Sequence, residues 1–268
     1  MKWLRLVGLL LPLLMAGCAR QAVVSQPATP DDSNAQYRAK THTELGSGYF
    51  SRAQYGVALD ELNEALRADP DYAPAHNMLG LVYMELREDR QAEQAFVRAL
   101  QLDPGDSDAH NNFGWFLCTR SRYDESIKQF LAAVKNPLYG TPEKALLNAG
   151  ICSAKKGDDA GAEDFLLKAL RVQPQQPQAL YNLAHLYFKQ GRYAEARISL
   201  SKYLQVAAPT PESLWLGVRL ERKLGDKEAE GGHGRQLRKL FPDAPETLLL
   251  QSGRYDDPEP SKGREGAR

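Results

Sequence analysis

Residues 79–104 read LGLVYMELREDRQAEQAFVRALQLDP, and the spacing of small and large side chains in this stretch decides the fold. A glycine follows a large apolar residue at Gly80, a second small residue lies 12 positions later at Ala92, and an aromatic residue follows at Phe96. Apolar residues recur at helical intervals on both sides of a charged turn. The stretch therefore predicts two helices that approach each other through small residues, with the aromatic ring beside their contact.

The same spacing recurs along most of the chain. The steps between successive small residues of the first series are 34, 34, 36, 34 and 33 residues. That series is Gly46, Gly80, Gly114, Gly150, Ala184 and Gly217. The second is Ala58, Ala92, Ser126, Ala162, Ala196 and Ala229, and the third is Leu62, Phe96, Phe130, Leu166 and Leu200.

This pattern resembles the tetratricopeptide repeat (TPR), a helix-turn-helix unit of about 34 residues. The resemblance implies an all-α, right-handed superhelical solenoid of about six repeats, with a TPR domain over residues 39–253. We expect repeats near 39–72, 73–106, 107–142, 143–176, 177–209 and 210–242, and then a capping helix through Leu248–Leu250. Residues 254–268 are rich in proline, glycine and charge, which predicts disorder.

Local signals predict where several helices begin and end. Thr141 and Thr210 each precede Pro and Glu, an order typical of an N-cap and first turn. Gly157 and Gly191 fall between the helices of their repeats, where a left-handed C-cap favours glycine. Residues 231–234, GGHG, predict a short, late or bent second helix in repeat six, because glycine has low helix propensity.

The N-terminus carries a second decisive pattern, LMAGC at residues 14–18. A basic start, a short apolar run and small residues before Cys18 predict a signal peptide over residues 1–17. The pattern resembles a bacterial lipobox, which implies lipidation of Cys18 and acyl chains, palmitate among them, on the mature N-terminus. We expect a flexible tether over residues 18–38 and, since Ala19 is not Asp, an outer-membrane lipoprotein that faces the periplasm. The alternative is an ordinary secreted protein.

The remaining composition narrows the function classes. Lys+Arg and Asp+Glu are both 34, and this neutral balance argues against a nucleic-acid partner. Cys118 and Cys152 lie at nearly equivalent places on the first helices of repeats three and four. We predict a disulfide between them in an oxidising compartment; the alternative is two buried free thiols.

Neither a catalytic motif nor a metal-binding motif is found. His42, His76 and His110 are 34 residues apart, but equivalent positions on stacked helices are about 8–10 Å apart, too far to share one zinc ion. We expect these histidines to be packing residues, and we expect no metal, no cofactor, no small-molecule substrate and no enzymatic activity.

The TPR resemblance assigns the concave groove to the first helix of each repeat. We predict a partner-binding groove whose residues are largely apolar, with two asparagines that can bond a peptide backbone. They are Phe50, Asn77, Leu81, Met84, Asn111, Trp115, Leu147 and Ile151, continued by Tyr181, His185 and Phe188. The alternative is that individual members pack against a neighbouring helix. Lys40, Lys144, Lys155 and Lys189 are too scattered in sequence to predict a basic cluster.

Taken together, the lipobox, six repeats, Asp124–Glu125 in repeat three, the paired cysteines and residues 241–246, FPDAPE, resemble a family of TPR lipoproteins of type IV pilus biogenesis. The resemblance implies a non-enzymatic pilotin that binds the secretin subunit in its groove and promotes the outer-membrane localisation and multimerisation of the secretin. Two alternatives are a lipid-anchored TPR adaptor for peptidoglycan hydrolases or synthases, and a subunit of the outer-membrane protein insertion machinery.

Overall fold

The computed structural model describes residues 30–256, and its regular secondary structure in that range is entirely helical. The predictions for the signal peptide, Cys18 and residues 257–268 lie outside the described residues. Thirteen helices follow one another in that range: α1 Pro30–Phe50, α2 Tyr55–Ala68, α3 Ala73–Glu85, α4 Asp89–Leu102, α5 Ser107–Thr119, α6 Tyr123–Lys135, α7 Pro142–Lys156, α8 Asp159–Val172, α9 Pro177–Lys189, α10 Tyr193–Val206, α11 Pro211–Leu224, α12 Lys227–Leu240 and α13 Pro245–Ser252. None of these helices is long and apolar enough to cross a membrane.

The first 12 helices form six antiparallel pairs, and the eight-residue α13 packs on the last pair. The predicted all-α TPR solenoid is confirmed. Helices α3, α5 and α9 begin at the residues where repeats two, three and five were expected to begin. Helix α1 begins at Pro30, earlier than the expected domain boundary at residue 39, so part of the expected tether is helical.

The small residues of the first series and the large residues of the third series allow close contact between the two helices of a pair. A Cβ added to Gly80 would lie 2.6 Å from Phe96 Cδ1, and one added to Gly114 would lie 2.7 Å from Phe130 Cε1. Phe96 and Phe130 are at most 1% exposed. Because the glycines have no side chain, the rings fill the space beside the helix contact, and each repeat gains a buried apolar centre.

Repeat six follows the same rule with a different side chain. The expectation of a short second helix in repeat six is wrong, because α12 has 14 residues, like α10. A Cβ on Gly217 would lie 2.8 Å from His233 Cδ2, so the imidazole takes the place of the large apolar residue. Gly234 is buried, and a Cβ there would lie 3.4 Å from Leu250 Cδ2 of α13. Tertiary packing against α11 and α13 thus offsets the low helix propensity of the glycines.

Each turn between paired helices contains one residue in the left-handed backbone conformation. Gly157 and Gly191 adopt φ of 87° and 74°, as predicted. The equivalent residue of repeat one is Ala53, with φ of 57°. Thr210 caps α11 by accepting a hydrogen bond from Ser213 N at 3.2 Å, as expected. Thr141 is the N-cap residue of α7 and Pro142 starts that helix, as predicted, but the Thr141 side chain makes no cap hydrogen bond.

The odd-numbered helices form the inner layer of the solenoid. Each of α1, α3, α5, α7 and α9 contacts the next odd-numbered helix, whereas α2, α4, α6, α8 and α10 make no such contact with one another in the described range. Close packing on one side and separation on the other curves the array toward the odd-numbered helices. We call the solvent-facing side of these helices the inner surface.

Candidate functional site

The inner surface carries most of the residues that the sequence assigned to a groove. All members of that predicted set lie on α1, α3, α5, α7 and α9. Most are partly exposed: Phe50, Leu81, Met84, Asn111, Trp115, Ile151, Tyr181, His185 and Phe188. The TPR fold therefore brings residues from five repeats to one side of the molecule.

Asparagines from three neighbouring helices form a continuous hydrogen-bonded row on this surface. Asn112 Nδ2 donates to Asn77 Oδ1 at 3.2 Å, and Asn148 Nδ2 donates to Asn111 Oδ1 at 3.0 Å. Asn111 Nδ2 lies 3.5 Å from Asn112 Oδ1 and joins the two pairs. Each amide has more donors and acceptors than the row uses, so its free groups suit a peptide backbone.

The sequence reasoning missed Asn112 and Asn148. Both lie two positions before the small residue of their repeats, as does Asn182 in repeat five. That shared offset was the available signal. Asn182 itself donates to the carbonyl oxygen of Gln178 at 2.7 Å, which turns its amide along its own helix. The asparagine row, defined as Asn77, Asn112, Asn111 and Asn148, thus runs from α3 to α7.

Apolar side chains flank the asparagine row. Leu81 and Met84 rest on the cluster formed by Phe96, Phe113 and Phe116. Trp115 packs beside the Cys118–Cys152 contact. Lys155 Nζ lies 5.4 Å from the centre of the indole ring of Trp115. These side chains are half buried, so each one offers one face to a partner while its other face is fixed by packing.

Two predicted groove residues are almost fully buried, and a third packs within repeat one. Leu147 is only 9% exposed, because it packs into the core that repeats four and five share. Asn77 is 8% exposed, and its Oδ1 already accepts the bond from Asn112. Phe50 belongs to the separate cluster of repeat one, with its ring 5.8 Å from Tyr55. The exposed part of the groove is therefore narrower than the sequence suggests.

The residues of repeat five continue the inner surface with aromatic contacts. Tyr181 lies 6.5 Å from His185 and 5.7 Å from Tyr203, measured between ring centres. Arg219 of α11 covers the ring of Phe188 at 4.8 Å. This arrangement couples repeat five to repeat six and leaves part of each ring exposed.

The structure brings Cys118 and Cys152 together. Their Cα atoms lie 5.9 Å apart, a separation that a disulfide can span. Ser126 Oγ donates to the Gly114 carbonyl oxygen at 2.7 Å and lies 3.4 Å from Cys152 Sγ. Because Cys118 is on α5 and Cys152 is on α7, this contact fixes one inner helix against the next directly behind Trp115.

The three histidines spaced by 34 residues each bond within their own repeat or the turn before it. His42 Nδ1 lies 2.7 Å from Glu61 Oε2, His76 Nε2 donates to the Pro70 carbonyl oxygen at 2.9 Å, and His110 Nε2 donates to that of Pro104 at 3.1 Å. Each imidazole is therefore held by a contact with its own repeat or with the turn before it. Among residues 34–256, no group of three His, Cys, Asp or Glu side chains is placed to hold a metal ion.

The pKa of Tyr187 is raised by burial and by a contact with the outer helix α8, away from the inner surface. Burial, and then a hydrogen bond from its hydroxyl to Glu163 Oε1 at 2.9 Å, raise the pKa of Tyr187 to about 12. A depression of about 440 Å³ lies nearby between α8, α9 and α10. Its apolar lining includes Leu167, Leu170 and Ile198, and none of the predicted groove residues. The candidate site is therefore the inner surface.

Comparison with known proteins agrees with this architecture. The tetratricopeptide repeat family matches residues 95–128 and 165–198, and further TPR matches cover residues 46–86, 73–106 and 112–177. The crystal structure of PilW, described as a widely conserved type IV pilus biogenesis factor, is 33% identical, covers 80% of this chain and 98% of PilW, and has a TM-score of 0.74. The chain belongs to the PilW/PilF family of type IV pilus TPR proteins.

Two further comparisons support this family membership. The type IV pilus assembly protein PilF of Pseudomonas aeruginosa is 29% identical over 243 residues, which is 91% of this chain and 96% of PilF. The solved structure of Pseudomonas aeruginosa PilF covers 82% of this chain and 99% of its own, with a TM-score of 0.74. PilW/PilF-family membership therefore extends over nearly the whole chain, and such TPR proteins are typically non-catalytic adaptors.

Proposed function

We propose that this PilW/PilF-family chain is a pilotin for the type IV pilus secretin. It binds a secretin segment along the inner surface and carries it to the outer membrane through acyl chains on Cys18. It works by binding and not by chemistry. The observation that carries the proposal is the match to the pilus assembly protein PilF over 91% of this chain.

The inner surface supplies the means of binding. The asparagine row presents amide groups that bond any peptide backbone, whereas Leu81, Met84 and Trp115 present apolar surface to particular side chains. In this proposal the bound segment is apolar surface that the secretin subunit exposes until its ring is assembled. A bound segment would be shielded on this surface, and release into the ring would follow from the competing contacts between subunits.

The anchor is proposed from the sequence at Cys18. Two or more acyl chains hold a protein stably on a bilayer, whereas one chain binds only marginally. The Cys18→Ala variant is therefore expected to lose incorporation of labelled palmitate and to leave the outer-membrane fraction. If the variant stays in the outer membrane without acyl chains, lipid anchoring is not what places the protein.

The deciding experiment follows the heat-resistant secretin multimer by gel. We compare cells that lack this protein with cells that carry Leu81→Arg plus Trp115→Ala. We expect both to lose the multimer while the secretin monomer stays at its normal level. The matched control is Leu131→Arg, since Leu131 is 46% exposed on the outer helix α6, and it should keep the multimer.

Each other result has a definite meaning. A multimer that persists in the deletion strain overturns the pilotin proposal, and altered peptidoglycan hydrolase activity in the same strain favours the cell-wall adaptor. Loss of the multimer in the deletion but not in the inner-surface variant moves the binding site off the inner surface. Thermal unfolding of the purified variants shows whether the substitutions only unfold the protein.

A further inference from the structure

A pocket of about 250 Å³ opens on the inner surface between α7 and α9. Its floor is apolar and includes Ile151, Leu166 and Leu186. Leu166 fills the space beside Gly150, because a Cβ there would lie 2.8 Å from Leu166 Cγ. The pocket is large enough for a side chain and lies among the residues that the proposed function assigns to a bound segment.

The rim of the pocket is polar, and positive charge exceeds negative charge there. Lys155 and Lys189 occupy equivalent places on α7 and α9, five residues after Gly150 and Ala184, so the stacking of two repeats brings them to one pocket. Asn182 and His185 complete the rim. The expectation that these lysines are scattered is therefore wrong at this place, because residues 34 apart in the sequence face the same space.

The charges at the rim leave one ammonium without a carboxylate. Lys189 Nζ pairs with Asp159 Oδ1 at 3.2 Å, and Asp159 also lines the pocket. Lys155 lies over the ring of Trp115 at 5.4 Å and forms no ion pair with any residue between 34 and 256. A cation held against an aromatic face keeps its charge available to an anion. The pocket thus offers one net positive charge above an apolar floor.

We propose that this pocket receives the side-chain carboxylate of an Asp or Glu in the segment bound along the inner surface. The inference rests on the proposed function, because it specifies the chemistry of the same partner. A carboxylate carries one negative charge and matches the one unpaired ammonium. Lys155 and Lys189 would bond its two oxygens, while Ile151 and Leu186 would contact the methylene groups that precede it.

An internal side chain fits better than a chain terminus. The asparagine row ends at Asn148 on α7, and Asn182 continues the same offset on α9 beside the pocket. The amides of the row therefore lie before the pocket. Beside the pocket, the Asn182 amide bonds the Gln178 carbonyl oxygen through one N–H and keeps its second N–H and its oxygen for a peptide backbone. A segment that follows these groups passes the pocket and turns a side chain into it, whereas a terminal carboxylate would leave the Asn182 amide unused.

The test uses the ¹⁵N-labelled full chain in detergent and three blocked or free pentapeptides. They are acetyl-Ala-Ala-Glu-Ala-Ala-amide, the same peptide with Gln, and acetyl-pentaalanine with a free C-terminus. We expect the Glu peptide to shift the Asn182 side-chain amide resonances saturably and to bind at least about threefold more tightly than the Gln peptide. The difference should shrink as salt is added.

Variants decide whether the lysines are responsible. Lys155→Met should weaken binding of the Glu peptide by about threefold and leave binding of the Gln peptide unchanged. Lys155→Arg should retain most of the preference for the Glu peptide over the Gln peptide. The control is Lys168→Met, because Lys168 pairs with Asp164 at 2.6 Å on the outer helix α8; it should change neither affinity. Equal binding of the Glu and Gln peptides, or tighter binding of the free C-terminus, overturns the inference.

The two proposals fail in different ways. If the Glu peptide shows no preference while the secretin multimer still requires the inner surface, the carboxylate pocket is wrong and the pilotin function stands. If the Glu peptide binds through Lys155 but the multimer forms without this protein, the pocket stands and its partner is another acidic segment.

Discussion

The imidazole of His233 lies against Gly217, so close that a Cβ at position 217 would stand 2.8 Å from His233 Cδ2. In the other repeats a leucine or phenylalanine fills this place beside a small residue. Repeat six therefore has a titratable group at the centre of its helix contact, where solvation of a charge is poor.

This contact makes the stability of repeat six depend on pH. Burial, and then the charge of Arg197, lower the pKa of His233 from its usual value of 6.5. Below pH 6.5 the unfolded chain takes up a proton that the folded chain resists, so the free energy of unfolding falls as the pH is lowered from that value to the folded pKa. Urea unfolding of the protein at pH 7.5 and pH 5 measures this loss.

The control for the pH effect is His233→Leu, which restores the residue type of repeats one, four and five. This variant should lose less stability than the wild-type protein between pH 7.5 and pH 5. An identical pH dependence in the two proteins would show that other groups cause it.

The close contact in repeat two predicts a packing defect. A Cβ on Gly80 would meet Phe96 Cδ1 at 2.6 Å, so Gly80→Ala should lower the free energy of unfolding by about 1–3 kcal/mol despite the better helix propensity of alanine. Gly48→Ala is the matched control, since nothing lies within 4 Å of a Cβ at that exposed helical position. It should raise the free energy of unfolding by up to about 1 kcal/mol.

A second substitution tests whether the ring is the cause. Phe96→Leu in the Gly80→Ala background reproduces the pair Ala184 and Leu200 of repeat five, which are 0% and 2% exposed. Gly80→Ala should lower the free energy of unfolding less in a Phe96→Leu protein than in the wild-type protein. Equal costs in both would mean that the alanine clashes with something other than the ring.

The sequence predicted the repeats because their contacts are local. Gly80 and Phe96 lie 16 positions apart in one helix pair, so their spacing is visible in the chain itself. The site was predicted less completely, because it forms between repeats. Lys155 and Lys189 converge only when α7 and α9 stack, and Asn112 reaches Asn77 only when α3 and α5 do. His233 was missed because polar residues are uncommon at a buried helix contact.

The turns between paired helices predict opposite effects of glycine and alanine. Ala53 has φ of 57°, a conformation that strains a residue with a Cβ, and Gly157 has φ of 87° at the equivalent turn. Ala53→Gly should raise the free energy of unfolding by about 1 kcal/mol, and Gly157→Ala should lower it by about 1 kcal/mol. Nothing lies within 4 Å of a Cβ at Gly157, so only the backbone contributes there. Urea unfolding measures both, and a change of the same sign in the two variants would contradict this account.

The contact between Cys118 and Cys152 predicts that repeats three and four are covalently joined. Their sequence separation of 34 residues closes a loop that would stabilise the folded chain by about 3–4 kcal/mol through the lost entropy of the unfolded chain. Reduction should lower the free energy of unfolding by about that amount. It should also free the inner helices α5 and α7 to move against each other behind Trp115, and thereby weaken binding on the inner surface.

The double variant Cys118→Ala, Cys152→Ala separates the bond from the reductant. Before any reductant is added, the double variant should already have the lower free energy of unfolding that is expected of the reduced wild-type protein. Dithiothreitol should then lower the stability of the wild-type protein and leave that of the double variant unchanged. Mass spectrometry of the unreduced protein, unfolded and alkylated, should find neither cysteine modified. Alkylation of both thiols without reduction would show that the native protein keeps two buried free cysteines.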